Sequence, residues 1–397
     1  MNSHLLALQN HGQSIWLDSL SRCLITSGEL KRLISDDGLR GLTSNPAIFE
    51  KAIVGSGDYC DLLDAPEAQG LEAQALYERL VVRDIQAAAD LFCPMYLSTT
   101  RRDGYVSLEV SPQLAHSAQG TIEEARRLWH MVGRENLMIK VPGTPEGIAA
   151  FRQLISEGIN VNVTMLFSTL VYEEVAASYI DALEHLVQRG GDPGKVTSVA
   201  SFFISRIDTG VDEWIGRRLK PSANPEEQVV LRGLLGKVAI ASAKVAYQRF
   251  LAIFRGYRWE ELRRHGAHAQ RLLWASTGTK NPDYSDVRYV EELIGPDTVS
   301  TLPPATLSAF RDHGRVWFSL AEKVEKATGI LAAVEHAGLP LKEITDKLLA
   351  DGVRQFSDAF ARVLKVTDRR AKDSVCVPMD LIELKLMKEL YEGGRHQ

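Results

Sequence analysis

Short apolar runs recur along this chain, separated by longer stretches in which apolar residues return every three or four positions. Eight of the runs have the length and character of buried strands: residues 14–20, 39–44, 105–110, 137–141, 161–166, 199–204, 271–277 and 299–302. Each spans four to seven residues, the length expected of parallel strands covered on both faces. The stretches between them read as helices. Thr26-Ser27-Gly28-Glu29 and Thr121-Ile122-Glu123-Glu124 look like capping boxes, followed by the stripes Leu30, Leu33, Ile34 and Ala125, Leu128, Trp129, Val132. Thr144 and Pro145 predict a further helix start, with Thr144 as N-cap and Pro145 at the first helical position, where a missing N–H costs nothing. Residues 71–91, 170–187 and 221–254 are long helical stretches, and Val287, Val290, Glu291 and Ile294 form a short one.

Eight strands alternating with helices predict an α/β fold of the (β/α)₈ TIM-barrel type, one domain over residues 1–397. A doubly wound open sheet is the competing fold, but it would carry a glycine-rich nucleotide turn after its first strand. Asp18-Ser19-Leu20-Ser21 has none. Residues 306–397 are helical beyond the last strand, with stripes such as Leu348, Leu349, Val353, Phe356 and Phe360. That is more than one closing helix needs, so the extension is expected to pack over the barrel or to form a homo-oligomer interface.

Composition narrows the function classes. With 397 residues, 45% hydrophobic and 24% charged, the chain reads as a soluble globular protein. A net charge of −5 argues against nucleic acid or an anionic membrane surface as partner, while small phosphorylated substrates need only a local basic site. Cys23, Cys60, Cys93 and Cys376 are far apart and suggest neither a zinc site nor a disulfide framework. The first residues lack the pattern of a secretion signal, and no apolar run approaches membrane-spanning length. The expected setting is cytoplasmic, with reduced thiols.

In a barrel of this kind chemistry gathers at the C-terminal ends of the strands. Those ends carry Asp18, Asn45, Glu109, Lys140, Asn162 with Thr164, Ser201 with Arg206, and Ser276 with Lys280. Alternation puts Asp18 on one face with Trp16, Glu109 with Ser107, and Thr164 with Asn160 and Asn162. If these faces point inward, Asp18, Glu109, Lys140 and Thr164 converge. Without a histidine the set is poor equipment for a metal or a Ser-His-Asp triad. It suits a lysine that forms a Schiff base with a carbonyl, with carboxylates moving protons. Each residue also has a purely structural reading: Asp18 and Asn45 as turn caps, Glu109 as an ion-pair partner of Lys140, Arg206 as a partner of Asp208 or a solvated side chain. Holding all of those readings at once leaves many polar groups buried for no return.

Three segments resemble the transaldolase family in the right order. Gly41-Leu42-Thr43-Ser44-Asn45-Pro46-Ala47-Ile48-Phe49 is similar to its second-strand motif. Ile139-Lys140-Val141-Pro142-Gly143-Thr144 is similar to its Schiff-base lysine segment, and Ile159-Asn160-Val161-Asn162-Val163-Thr164-Met165-Leu166-Phe167-Ser168 to its fifth-strand motif. The length and Trp274-Ala275-Ser276-Thr277-Gly278-Thr279-Lys280-Asn281-Pro282 look like the longer bacterial branch. The resemblance implies a circularly permuted barrel of the class I aldolase kind that needs no cofactor or metal. It also implies transfer of a dihydroxyacetone unit among sedoheptulose 7-phosphate, glyceraldehyde 3-phosphate, erythrose 4-phosphate and fructose 6-phosphate.

By motif, Lys140 is the nucleophile, Glu109 and Thr164 hold a proton-relaying water, and Asp18 takes the hydroxyl proton that starts carbon–carbon cleavage. Asn45, Asn162 and Ser201 bind the hydroxyls of the three-carbon fragment; Arg206 binds phosphate with help from Ser276. Related fructose-6-phosphate aldolases typically carry glutamine at the position of Glu109 and tyrosine at that of Phe203, so this chain has the transferase pair. One departure stands out. The shorter branch has a second phosphate arginine where this chain offers Lys280, which keeps the charge and loses the planar fork. The alternatives are an aldolase or hydrolytic relative that releases free dihydroxyacetone, and a catalytically silent sugar-phosphate adaptor. The residues after the last strand are too few for a fused sugar-phosphate isomerase domain.

Overall fold

A computed structural model describes residues 4–373 apart from 55, 64, 66–67, 69 and 221–223, with side chains up to residue 368. Eight parallel strands close a barrel in sequence order: β1 (Gln13–Asp18), β2 (Gly41–Thr43), β3 (Tyr105–Glu109), β4 (Leu137–Pro142), β5 (Val161–Leu166), β6 (Ser198–Phe203), β7 (Arg271–Ala275) and β8 (Thr298–Leu302). With helices around it, this is the (β/α)₈ architecture that the pattern of runs predicts. Strand ends move by up to two residues for local reasons. β1 stops at Asp18 because Ser21 caps a short helix, Arg22–Thr26, by accepting from Leu24 N–H. β2 is short because the chain turns at Ser44 into the helix Pro46–Val54.

The register places the reactive candidates side by side. Glu109 on β3 is level with Lys140 on β4, Lys140 with Asn162 on β5, and Pro142 with Thr164. Beyond Thr164 the alternation breaks. Met165 adopts a left-handed conformation with φ 60°, and the β5–β6 register shifts between Val163 and Leu166. This bulge re-aims the end of β5 beside the site.

The helices correct several expectations. Thr26 does not open a capping box: its hydroxyl donates back to Arg22 C=O inside the preceding helix, and Glu29–Asp36 starts from left-handed Gly28. Thr121 is no cap either, because Ser117 starts the helix Ala118–Val132 and the Thr121 hydroxyl is drawn to Leu114 C=O. Thr144 does cap Pro145–Ser156, accepting from Gly147 N–H at 3.0 Å. The expected helix over 221–254 is split into Pro225–Leu234 and Val238–Ile253, with 221–223 outside the described residues. The helix Ser205–Leu219, directly after β6, has no counterpart in the sequence reading. Cys60 is disulfide-bonded, against the expectation of reduced thiols, since wide spacing in sequence carries no pairing signal. Cys23 and Cys93 are free, and Cys376 lies outside the described residues.

After β8 the chain forms Pro304–His313, Val324–His336 and Leu341–Asp373. The last of these, the cap helix, lies along Pro46–Val54 at the C-terminal mouth. Arg362 and Glu50 join them in an ion pair, with Nη2 to Oε2 at 2.9 Å, and Phe360 packs edge-on to Tyr77 at 5.3 Å. The rest of the expected helical extension, 374–397, lies outside the described residues. Among the described residues no helix is long and apolar enough to cross a membrane.

Candidate active site

The strand ends open into a cavity of about 1050 Å³ whose floor is the barrel and whose far wall is the cap helix. Lys140, Thr164, Asp18, Ser201 and Phe203 line it from the strands, and Asn45, Arg206, Ser276 and Lys280 line it from the segments just beyond. Glu109 and Asn162 do not reach its surface. Glu109 sits behind Lys140, in a small adjacent space between β3 and the helix Pro46–Val54. Asn162 is fully buried: it accepts from Ser201 Oγ at 2.7 Å and donates to Ser107 Oγ at 3.1 Å, so it fixes the serine that the cavity sees.

Lys140 is 5% exposed, and its ammonium donates to Ser44 C=O at 3.1 Å. Its Nζ lies 3.6 Å from Glu109 Oε2, close enough for charge to act but longer than a hydrogen bond. Among the described residues that carboxylate oxygen has no hydrogen-bond partner, and neither has buried Thr164 Oγ1. Two unsatisfied buried oxygens on the strands flanking the lysine are costly to the fold and receptive to a water or a reacting oxygen. Burial pushes the Glu109 carboxyl up to about 7; Lys140 opposes this and Asp18 reinforces it. Near neutral pH such a group exchanges a proton readily. Asp18 accepts from Thr43 Oγ1 at 2.8 Å, so it caps no turn, and its carboxylate faces the cavity. Asn45 does both jobs: it accepts from Ile48 N–H at 3.0 Å and lines the cavity.

Arg206 is the second residue of the helix Ser205–Leu219 that follows β6. Its guanidinium lies over the Phe203 ring, 5.4 Å from the centroid, and among the described residues it has no hydrogen bond or ion pair. It does not pair with Asp208, which instead accepts from Ala239 N–H at 2.8 Å and from Tyr289 OH at 2.9 Å. Burial lowers the Arg206 pKa from its ordinary value, with Asp18 pulling the other way. A partly desolvated cation with open donors is an anion site. Ser276 stands beside it in a left-handed conformation, φ 55°, its Oγ 2.9 Å from Ser205 Oγ and its C=O accepting from Ser205 N–H. Lys280 is exposed at the rim.

The cap helix supplies the lining that the sequence did not announce: Leu348, Asp351, Gln355 and Phe356. Between them is Gly352, where an added Cβ would come within 3.0 Å of Met165 Sδ and 3.6 Å of Arg206 Nη1. A glycine inside a long helix is unfavourable by about 0.5–1 kcal/mol, and here its missing side chain lets the helix reach the arginine. The sequence signal for this was an amphipathic stripe, expected to pack over the barrel or to form a homo-oligomer interface. Among the described residues no group of three or more His, Cys, Asp or Glu side chains is placed to hold a metal.

The family model for transaldolase/fructose-6-phosphate aldolase matches residues 15–367, from β1 into the cap helix. Among similar proteins, a transaldolase of Trichodesmium erythraeum is 46% identical over 94% of this chain and 98% of its own length. Transaldolase 2 of Nostoc punctiforme is 46% identical over 93% and 98%. A transaldolase of Neisseria gonorrhoeae is 44% identical over 89% and 96%. Barrel, cavity and relatives agree on one conclusion: the chain belongs to the transaldolase/fructose-6-phosphate aldolase family.

Proposed function

We propose that this chain transfers a dihydroxyacetone unit between sugar phosphates: from sedoheptulose 7-phosphate to glyceraldehyde 3-phosphate, giving erythrose 4-phosphate and fructose 6-phosphate, in the non-oxidative pentose phosphate pathway. The supporting observation is a buried lysine flanked by two unsatisfied buried oxygens, beneath an arginine with open donors. On this reading the fold is a circularly permuted relative of the class I aldolase barrels. The chain works in the cytoplasm on small sugar phosphates, without cofactor or metal.

Lys140 Nζ attacks the ketose carbonyl carbon, and the carbonyl oxygen leaves as water to form an iminium. Glu109 and Thr164 hold a water that carries protons to and from that oxygen. Asp18 then takes the proton of the hydroxyl next to the scissile bond. The bond breaks, its electron pair passes into the iminium to give an enamine, and an aldose phosphate departs. Asn45 and Ser201 hold the hydroxyls of the remaining three carbons, with Asn162 acting through the Ser201 hydroxyl it orients. Arg206 binds the phosphate, with Ser276 and Lys280 assisting. The enamine waits, shielded from water, for an acceptor aldehyde whose new alkoxide takes the proton back. Glu109 and Phe203, rather than glutamine and tyrosine, favour transfer over release of free dihydroxyacetone.

Borohydride reduction with fructose 6-phosphate, followed by peptide mapping, tests this course. The expected result is a three-carbon adduct on Lys140; label on another lysine, or on none, ends it. Free dihydroxyacetone formed as fast without an acceptor as product forms with one would identify an aldolase or hydrolase instead.

A further inference from the structure

The loop after β7 carries both Ser276 and Lys280, and its start is tied to β8 by Thr277 Oγ1, which donates to Thr301 C=O at 2.7 Å. Its far side is fastened to the helix Ser205–Leu219, the one that carries Arg206 in its first turn. Tyr284 OH donates to Asp212 Oδ2 at 2.8 Å, while Asp212 Oδ1 accepts from Gly236 N–H at 2.9 Å. Gly236 is left-handed, φ 61°, and a Cβ on it would lie 2.6 Å from the Tyr284 oxygen, so the phenol fits against bare backbone. Arg288 covers the other face of the slot, its guanidinium 4.5 Å from the ring centroid and donating to Gly236 C=O. Burial first, then Asp212, pushes the Tyr284 hydroxyl up to about 12, so it stays a donor throughout the working range. Between Lys280 and Tyr284 the loop is folded on itself: Tyr284 N–H donates to Asn281 C=O at 3.1 Å, and Thr279 Oγ1 donates to Ser285 C=O at 2.8 Å.

We propose that Tyr284, clasped by Asp212, is a positioning residue for the phosphate end of the substrate: it holds the Lys280 loop at a fixed distance from Arg206. The inference rests on the reading of Lys280 as a phosphate ligand. Lysine is a flexible point charge where a second arginine would bring its own rigid fork. A rigid mount for its backbone offsets part of that flexibility. Because Asp212 lies on the same helix as Arg206, one element sets both cations.

A double-mutant cycle tests this with Tyr284→Phe, Lys280→Ala and the pair, using fructose 6-phosphate and unphosphorylated fructose as donors. The expected pattern is a three- to tenfold rise in KM for fructose 6-phosphate in Tyr284→Phe, with kcat within twofold and unphosphorylated fructose turned over as before. In the Lys280→Ala background the same change adds nothing. If Lys280→Ala alone leaves the KM for fructose 6-phosphate untouched, the phosphate reading of Lys280 fails and takes the clasp with it. If Lys280→Ala raises KM but Tyr284→Phe does not, or if the effect of Tyr284→Phe persists in full without Lys280, the clasp alone is overturned. Asp212→Asn, which keeps the shape and weakens the accepting charge, reproduces Tyr284→Phe if the contact matters; an unchanged KM in this variant also overturns the clasp. Equal melting temperatures of variants and wild type separate positioning from unfolding.

Discussion

The two mouths of the barrel bury charge to a similar depth and treat it in opposite ways. At the N-terminal mouth Arg271 and Asp103, 4% exposed each, meet at 3.1 Å. Arg271 also donates to Ser14 Oγ and Arg102 C=O, and Asp103 accepts from Ser14 Oγ. At the C-terminal mouth Lys140 and Glu109 stay 3.6 Å apart, Glu109 Oε2 and Thr164 Oγ1 go unpaired, and Arg206 is left to an aromatic face. The first arrangement repays desolvation inside the protein; the second keeps its donors and acceptors open for a substrate. Charge at the closed end is therefore satisfied within the fold, and charge at the open end is left available.

Exchanging a residue at each mouth should separate the two roles. Lys140→Ala should fold with an unchanged melting temperature or a higher one, yet lose at least a thousandfold in kcat, since the proposed imine nucleophile is gone; steady-state kinetics beside thermal melts would show it, and retained turnover would refute the role. Asp103→Ala should do the reverse. It leaves Arg271 charged and unpaired, costing about 3–5 kcal/mol by urea unfolding with kcat near wild type. A smaller effect is expected for Arg206→Lys: KM for fructose 6-phosphate should rise about tenfold while unphosphorylated fructose is unaffected, because the planar fork is lost and the charge kept.

The smallest effect is a pH dependence. With its carboxyl at about 7 in the folded protein against an ordinary 4.5, Glu109 holds a proton in this window that the unfolded chain has released. Stability from this group is complete below about 4.5 and is lost as pH rises through about 7. Asp84 and Asp208, each pushed by burial to about 6, add slope in the same direction, so the difference between wild type and Glu109→Gln is the quantity to read. That difference should grow by on the order of 1 kcal/mol in favour of the variant between pH 6 and pH 7.5, measured as unfolding free energy in urea.

The strands were legible because a run buried on both faces has a pattern unlike anything around it, and the strand ends then named the polar set. Helix starts were less so. Thr121 has the chemistry of a cap but spends its hydroxyl on Leu114 across the loop. The helix beginning at Ser205 was hidden because Phe203, Ile204 and Ile207 extend the apolar character of β6 into its first turn. Asn162 and Glu109 were placed on the inward faces, but depth along the barrel axis is set by tilt and register, which alternation does not encode. The cap helix showed its apolar stripe but left open whether the stripe would cover the barrel or an oligomer interface. Gly352 is legible only once Met165 and Arg206 are seen against it.

The cap helix also imposes an order on the making of the protein. A chain leaving the ribosome has all eight strands, and with them the lysine, the carboxylates and the arginine, once β8 is complete at Leu302. The wall formed by Leu348, Asp351, Gln355 and Phe356 is still unmade at that moment. Translation thus delivers the polar groups at the strand ends before it delivers the wall that covers them, and the cavity of a nascent barrel stays open to water until the cap helix folds down.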